Sequence, residues 1–272
     1  MRRIARRCFA LAALIAFAPI AGAFASAEEL VKFHAAAPRG RAAAVAETIR
    51  GYLTRPNGAG PFPAVVLLHS CLGLPADRRS IGGAVAGWGY VALFVDDFTT
   101  RGLKETCAVD FPQGLSDAFG ALAFLSTLAD VDARRIAAIG WSQGADAALG
   151  IAASPSGAGF AIAGDPTFTA AVAIYPPCEN RSNARLQIPT LILVGGADAV
   201  TPAAACERLA ERQSGDRPGV KLVVYPGADH GFDNREFAGG KRLLGMWLKY
   251  DRQAAERSRT ELRDFLAAKL AR

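Results

Sequence analysis

The sequence predicts an α/β fold: a mostly parallel, twisted sheet with helices on both faces. Three observations carry that expectation. Short β-rich runs alternate with helical stretches, the pattern of repeated strand–helix–strand units. Several runs, among them Ala64–Leu68 and Tyr90–Val95, are continuously apolar, as strands buried on both faces are. Third, the pentapeptide Gly140-Trp141-Ser142-Gln143-Gly144 directly follows the strand-like run Arg135–Ile139. A G-x-S-x-G turn lifts a serine hydroxyl between the end of a strand and the start of a helix. Its glycines leave room for chain that passes close by and suit a strained backbone.

The elements follow in order. Leu30–His34 and Ala46–Leu53 are expected as an opening pair of strands, and Asn57–Pro61 as a turn into the buried strand 64–68. A short helix is expected over 80–88, a strand over 90–95, and a helix from Gly114 to Leu128 with Leu115, Phe119, Leu122 and Leu125 on one face. The strand at 135–140 leads into Ser142, and the next helix runs to Ala153. Residues 154–167 read as a plain connection, too short for a separate cap domain, so a shallow and open pocket is expected. Strands follow at Thr169–Tyr175, Thr190–Val194 and Val220–Tyr225. Thr201-Pro202 has the chemistry of an N-cap and first residue for a helix reaching Arg212. Asp251 would cap the last helix, whose stripe Ser258, Leu262, Phe265, Leu266 and Leu270 should lie on the domain body.

With 272 residues, 51% hydrophobic and 21% charged, the chain can bury a large core, and residues 28–272 are expected to form one domain. Residues 1–27 read separately. Arg2, Arg3, Arg6 and Arg7 precede a short apolar run from Cys8 to Ala18, and Ala25-Ser26-Ala27 offers a small-x-small cleavage site. That is the pattern of a signal peptide, so an exported chain, periplasmic or secreted, is expected. The apolar run is short against the roughly 20 residues that span a bilayer, so no stable membrane anchor is expected. Arg6-Arg7-Cys8-Phe9 only loosely matches a twin-arginine signal, and the export route stays open. Without the leader, net charge falls from +6 to +2, which argues against a nucleic-acid partner. Four cysteines remain, Cys71, Cys107, Cys178 and Cys206; disulfides suit an exported chain, with buried free thiols as the alternative.

A serine nucleophile needs a base, and the chain has three histidines. His34 lies in the opening strand. His69 ends the strand at 64–68 and reads as a structural imidazole bonding its own loop. His230 lies beyond the last strand, where a loop would project over the sheet's C-terminal edge. Asp198, beyond the strand at 190–194, can orient that imidazole and stabilise its charged form. Glu179 is a rival acid in the same layer. The order Ser142, Asp198, His230 is the nucleophile–acid–base order of α/β-hydrolases, and all three fall where open α/β sheets bind ligands. Two convergent donors would hold an oxyanion: the backbone N–H of Gln143 and one from the loop His69–Gly73. The histidines and cysteines lack metal-ligand spacing, and the chemistry needs no cofactor.

Together Gly140–Gly144, Asp198 to Pro202, Gly227–Phe232 and His69–Gly73 resemble the dienelactone hydrolase family, over about residues 45–270. The resemblance implies the α/β-hydrolase fold and carboxylic ester or lactone hydrolysis. It places the second oxyanion amide at Cys71, and it makes Arg101, in Asp-Phe-x-x-Arg-Gly, a candidate for binding a substrate carboxylate, with a surface salt bridge as the alternative. Arg235 stands one residue from the family's second arginine, and a salt bridge is the preferred reading there. Two departures go together: Ser142 stands where the family carries cysteine, and Ser70 where it carries the glutamate that interacts with that cysteine. Cys71 and Cys107 follow neighbouring strands in this fold, as do Cys178 and Cys206, so pairings 71–107 and 178–206 are the first choice. The expected activity is serine-dependent cleavage of small-molecule or polymeric esters or lactones. Amide or peptide hydrolysis by the same residues, and a catalytically idle binding module, are the competing readings.

Overall fold

The continuous apolar runs become the centre of an eight-stranded sheet. The structure is a computed structural model that describes residues 27–40, 47–109, 111–213 and 219–271. The expected leader, apart from Ala27, lies outside the described residues, as does Ala46 at the start of the second expected strand. The strands are β1 (Glu29–His34), β2 (Thr48–Thr54), β3 (Phe62–Leu68), β4 (Val91–Asp96), β5 (Val131–Trp141), β6 (Ala170–Ile174), β7 (Thr190–Gly195) and β8 (Val220–Tyr225). Their order across the sheet is β1-β2-β4-β3-β5-β6-β7-β8. The pairings β1–β2 and β2–β4 are antiparallel, and the rest are parallel.

Helices cover both faces, because successive residues of a buried strand point to opposite sides. Val66 and Leu68 pack with Leu122 of α2 (Gln113–Ser126), Leu149 of α3 (Gln143–Ala153) and Leu209 of α4 (Ala203–Arg212). Val65 and Leu67 pack with Val85 of α1 (Arg78–Gly87) and with Leu262 and Leu266 of α5 (Arg252–Lys269). As the sequence predicts, Asp251 caps α5, its side chain accepting the Ala254 N–H at 2.8 Å. Among the described residues, no helix is long and apolar enough to cross a membrane.

Three local expectations differ from the structure. The connection 154–167 is not wholly irregular, since Phe160–Ala161 pairs with Ala37–Pro38. Helix α4 begins one residue later than its cap chemistry suggests, with Pro202 at the N-cap and the Thr201 hydroxyl turned elsewhere. A hairpin of β9 (Lys241–Leu243) and β10 (Met246–Leu248) has no counterpart among the expected elements. Its strands are too short to show a period. Its turn places Leu244 at φ 50° and Gly245 at φ 81°, without the Asn-Gly or Asp-Gly that announces such a turn.

Candidate active site

Ser142 sits at the tip of the turn between β5 and α3 with φ 51° and ψ −112°, a conformation sparsely populated by residues other than glycine. Its N–H donates to Ile174 O at 3.0 Å, which ties the turn to the neighbouring strand. The two glycines are required by close approach. A Cβ on Gly140 would meet Gly144 O at 1.9 Å, and one on Gly144 would meet Leu68 O at 2.3 Å. Either contact would push the turn off the sheet.

The acid and histidine loops are drawn together in the same way. A Cβ on Gly195 would meet Ala228 O at 2.2 Å, and Ala197 N–H donates to that carbonyl at 2.9 Å. Loops 33 residues apart therefore pack backbone to backbone. His230 Nδ1 lies 2.8 Å from Asp198 Oδ2, and His230 Nε2 lies 3.1 Å from Ser142 Oγ. Ser142, Asp198 and His230 are all buried. Asp198 Oδ1 accepts the backbone N–H groups of Val200 and Thr201 at 2.8 Å each. The Thr201 hydroxyl reaches Asp198 Oδ2 at 3.0 Å, Tyr175 O at 3.1 Å and His230 Nδ1 at 3.2 Å. Lys249 N–H donates to His230 O at 3.0 Å, so the hairpin steadies the histidine from the far side. Glu179 stands exposed in the turn Cys178–Arg181, and the imidazole faces Asp198 instead.

The loop after β3 is held at three points. Cys71 is bonded to Cys107, its carbonyl accepts Thr106 N–H at 2.9 Å, and Thr106 Oγ1 donates to Gln143 Oε1 at 2.9 Å. His69 Nδ1 lies 2.8 Å from Ser70 O, and burial pushes this imidazole below its ordinary pKa, so it is neutral and donates from Nδ1. That contact orients the Ser70–Cys71 peptide. Because the peptide is planar and trans, the Cys71 N–H points opposite to the Ser70 carbonyl. Gln143 opens α3, where the first N–H groups have no partner inside the helix. The second bridge joins Cys178 to Cys206, so both first-choice pairings are present.

Ser142 and His230 line a cavity of about 750 Å³, walled by the His69–Pro75 loop, α1, α5 and the hairpin. In place of a cap domain, β9–β10 and the helix pair α1 and α5 supply walls around the expected open pocket. Among the described residues, no group of three or more His, Cys, Asp or Glu could hold a metal ion.

The model of the dienelactone hydrolase family matches residues 49–270. The chain belongs to that family. With it comes carboxylic ester or lactone hydrolysis as the enzyme class. A putative carboxymethylenebutenolidase of Synechocystis sp. is 26% identical over 224 residues, covering 74% of this chain and 89% of that protein. A crystal structure of a putative dienelactone hydrolase from Klebsiella pneumoniae has a TM-score of 0.64 at 20% identity, covering 88% of this chain and 99% of that one. A dienelactone hydrolase-like promiscuous phosphotriesterase from metagenomic libraries reaches 0.68 at 18% identity, with coverages of 89% and 99%. At such identities the two structures speak for the shared fold alone.

In this member of the dienelactone hydrolase family, Arg101 does not reach the cavity. Its guanidinium clasps Asp117 through two hydrogen bonds of 2.6 and 3.0 Å, pairs with Glu47, and donates to Asp97 O at 2.7 Å. Burial pulls its pKa down, but Asp117 and Glu47 lift it above the ordinary value. A fully engaged guanidinium has no donor left for a substrate carboxylate, so the structure corrects the expected binding role to that of an ion-pair centre. Desolvation pushes the neighbouring carboxyls Asp97 and Asp117 up to about 7. Arg235, where a salt bridge is expected, is exposed and lines the cavity, and no carboxylate pairs with it among the described residues.

Asp233 lies three residues beyond His230 in the same loop and serves a different pair of partners. Its carboxylate accepts Trp141 Nε1–H at 2.8 Å and Tyr175 O–H at 2.9 Å, joining the residue before the nucleophile to the end of β6. Burial raises its pKa, against the pull of those two donors. Tyr175, at φ 42°, also lays its ring 4.5 Å from the His230 ring. The loop's polarity offered no signal for this, since the partners lie 92 and 58 residues away.

Proposed function

We propose that the enzyme cleaves carboxylic esters or lactones through an acyl intermediate on Ser142. The observation that carries this reading is the unbroken line from Ser142 Oγ to His230 Nε2 and from His230 Nδ1 to Asp198 Oδ2, at 3.1 and 2.8 Å. Ser142 Oγ attacks the carbonyl carbon as His230 Nε2 takes its proton. Asp198 keeps the ring in the tautomer with Nδ1–H and stabilises the imidazolium. The N–H groups of Gln143 and Cys71 donate to the oxyanion; α3's opening turn and the pinned Ser70–Cys71 peptide support this assignment. The tetrahedral intermediate collapses and the alcohol leaves with the proton from His230. Water, deprotonated by His230, then releases the acid and restores the serine. No step calls for a cofactor or metal.

The departures from the family pattern support a serine route. Ser70 Oγ accepts Leu72 N–H at 3.3 Å within its own loop, and a hydroxyl activated by His230 has no need of a carboxylate at that position. Two further parts of the reading are proposals. Residues 28–272 form one domain behind a cleaved leader, residues 1–27, and the chain works outside the cytoplasm. The two disulfides support export, because such bonds persist in oxidising compartments. The partners are small or polymeric esters or lactones rather than nucleic acid.

The test is labelling with a fluorophosphonate, read by peptide mass spectrometry, beside hydrolysis of an ester, lactone and amide panel. The wild type should label at Ser142 and turn over esters or lactones ahead of amides. Ser142→Ala should lose both label and turnover while its melting curve stays intact. A Ser142→Ala variant that hydrolyses esters undiminished would refute the mechanism, and a well-folded wild type that never labels would favour an idle binding module.

A further inference from the structure

The cavity does not end at Ser142. It continues as a furrow between α1 and α5, over a floor that includes Phe94 and Ile139 from the sheet. Ile81, Ala84, Val85 and Trp88 line one side, and Ala255, Ser258, Arg259 and Leu262 line the other. Both sets recur at i, i+3, i+4 and i+7, so each is one continuous face of its helix. Each face advances seven residues, about 10 Å at the helical rise of about 1.5 Å per residue. The two sides approach each other where the Arg259 guanidinium lies 5.9 Å from the centre of the Trp88 ring. The charged lining residues Arg235, Glu236, Lys241, Glu256 and Arg259 are exposed, whereas Phe94, Ile139 and Val85 are almost wholly buried.

We infer that this furrow holds the acyl chain of the substrate, and that the preferred substrates are esters or lactones bearing an unbranched apolar chain of about eight carbons. The inference rests on the serine-hydrolase reading above. The chain length comes from geometry. With C–C bonds of about 1.5 Å, an extended alkyl chain gains about 1.3 Å per carbon, so roughly eight carbons occupy 10 Å. The chemistry agrees: a floor of Phe94 and Ile139 offers no hydrogen bond, whereas a straight chain gains from each methylene it takes out of water. The leaving alcohol stays at the other end, beside His230, which must return a proton to its oxygen.

The experiment is a series of p-nitrophenyl esters from acetate to hexadecanoate, with kcat/KM measured for the wild type and for Ala84→Phe, whose ring would obstruct the furrow midway. For the wild type, kcat/KM should rise roughly fourfold per added methylene, following the burial of each CH2 group, and level off near eight to ten carbons. In Ala84→Phe the octanoate-to-acetate ratio should fall at least tenfold, with the optimum moved to shorter chains. Should that variant fail to fold, Leu262→Ala lengthens the furrow's space and should move the optimum to longer chains. A wild-type rate that falls steadily from acetate onward overturns the inference while Ser142 still labels with fluorophosphonate. Unchanged length profiles in the folded variants overturn it as well. If no ester turns over and Ser142 does not label, the underlying serine-hydrolase reading fails with it.

Discussion

Thr201 offers the sharpest test of how the acid is held. Its hydroxyl lies within 3.0 to 3.2 Å of Asp198 Oδ2, Tyr175 O and His230 Nδ1, and it is buried with them. Thr201→Val keeps the shape of the side chain and removes only the hydrogen bonding. The Thr201 backbone N–H remains to bond Asp198 Oδ1, so the acid loop should keep its path. A hydrogen bond to a charged group contributes roughly 1.5–3 kcal/mol, and about 1.4 kcal/mol is tenfold in rate. If the hydroxyl supports the carboxylate as the imidazolium forms, kcat should therefore fall roughly 10- to 100-fold. KM should hold, because Thr201 does not line the cavity. Steady-state hydrolysis of an activated ester, beside a thermal melt, reads both quantities. A kcat within twofold of wild type, or a loss that appears in KM alone, would show that Thr201 does nothing for the acid in the reaction.

Three further outcomes are expected. Removing the Cys178–Cys206 bridge as Cys178→Ala/Cys206→Ala should cost about 3.6 kcal/mol in urea unfolding, the loop-closure value for a separation of 28 residues; a loss under 1 kcal/mol would argue against it. Asp97 keeps its proton to about pH 7 when folded, whereas an ordinary carboxyl releases it near 4. Its contribution to stability is thus complete below about pH 4 and lost as pH rises towards 7. Asp97→Asn should flatten that part of the stability–pH curve and raise stability at pH 8, and an unchanged slope would count against this assignment. Asp233→Leu leaves the Trp141 and Tyr175 donors without an acceptor, at about 1–3 kcal/mol each. Unfolding should register a loss of roughly that size for each donor, larger than for Asp233→Asn, which keeps one acceptor.

By itself the sequence determined the strand–helix alternation, the helix faces that meet the sheet, and the candidate order Ser142, Asp198, His230. These were legible because they follow from local rules. A continuous apolar run has one buried fate, a G-x-S-x-G turn needs its glycines whatever surrounds it, and loops after successive strands emerge at the same sheet edge. The cysteine pairing was legible with the family topology, which sets which loops are neighbours. Tertiary structure alone decided how the polar side chains divide their partners. Arg101 could face a substrate or a carboxylate of its own chain, and the distance to Asp117 settled the matter. Thr201 carries the chemistry of a cap, yet its hydroxyl lies against Asp198. Asp233 stands three residues from His230 and reaches Trp141 and Tyr175 instead. The furrow between α1 and α5 was equally hidden, since each helix shows only its own amphipathic face in sequence. The gap between two helices depends on how far apart the sheet holds them, and no local pattern encodes that distance.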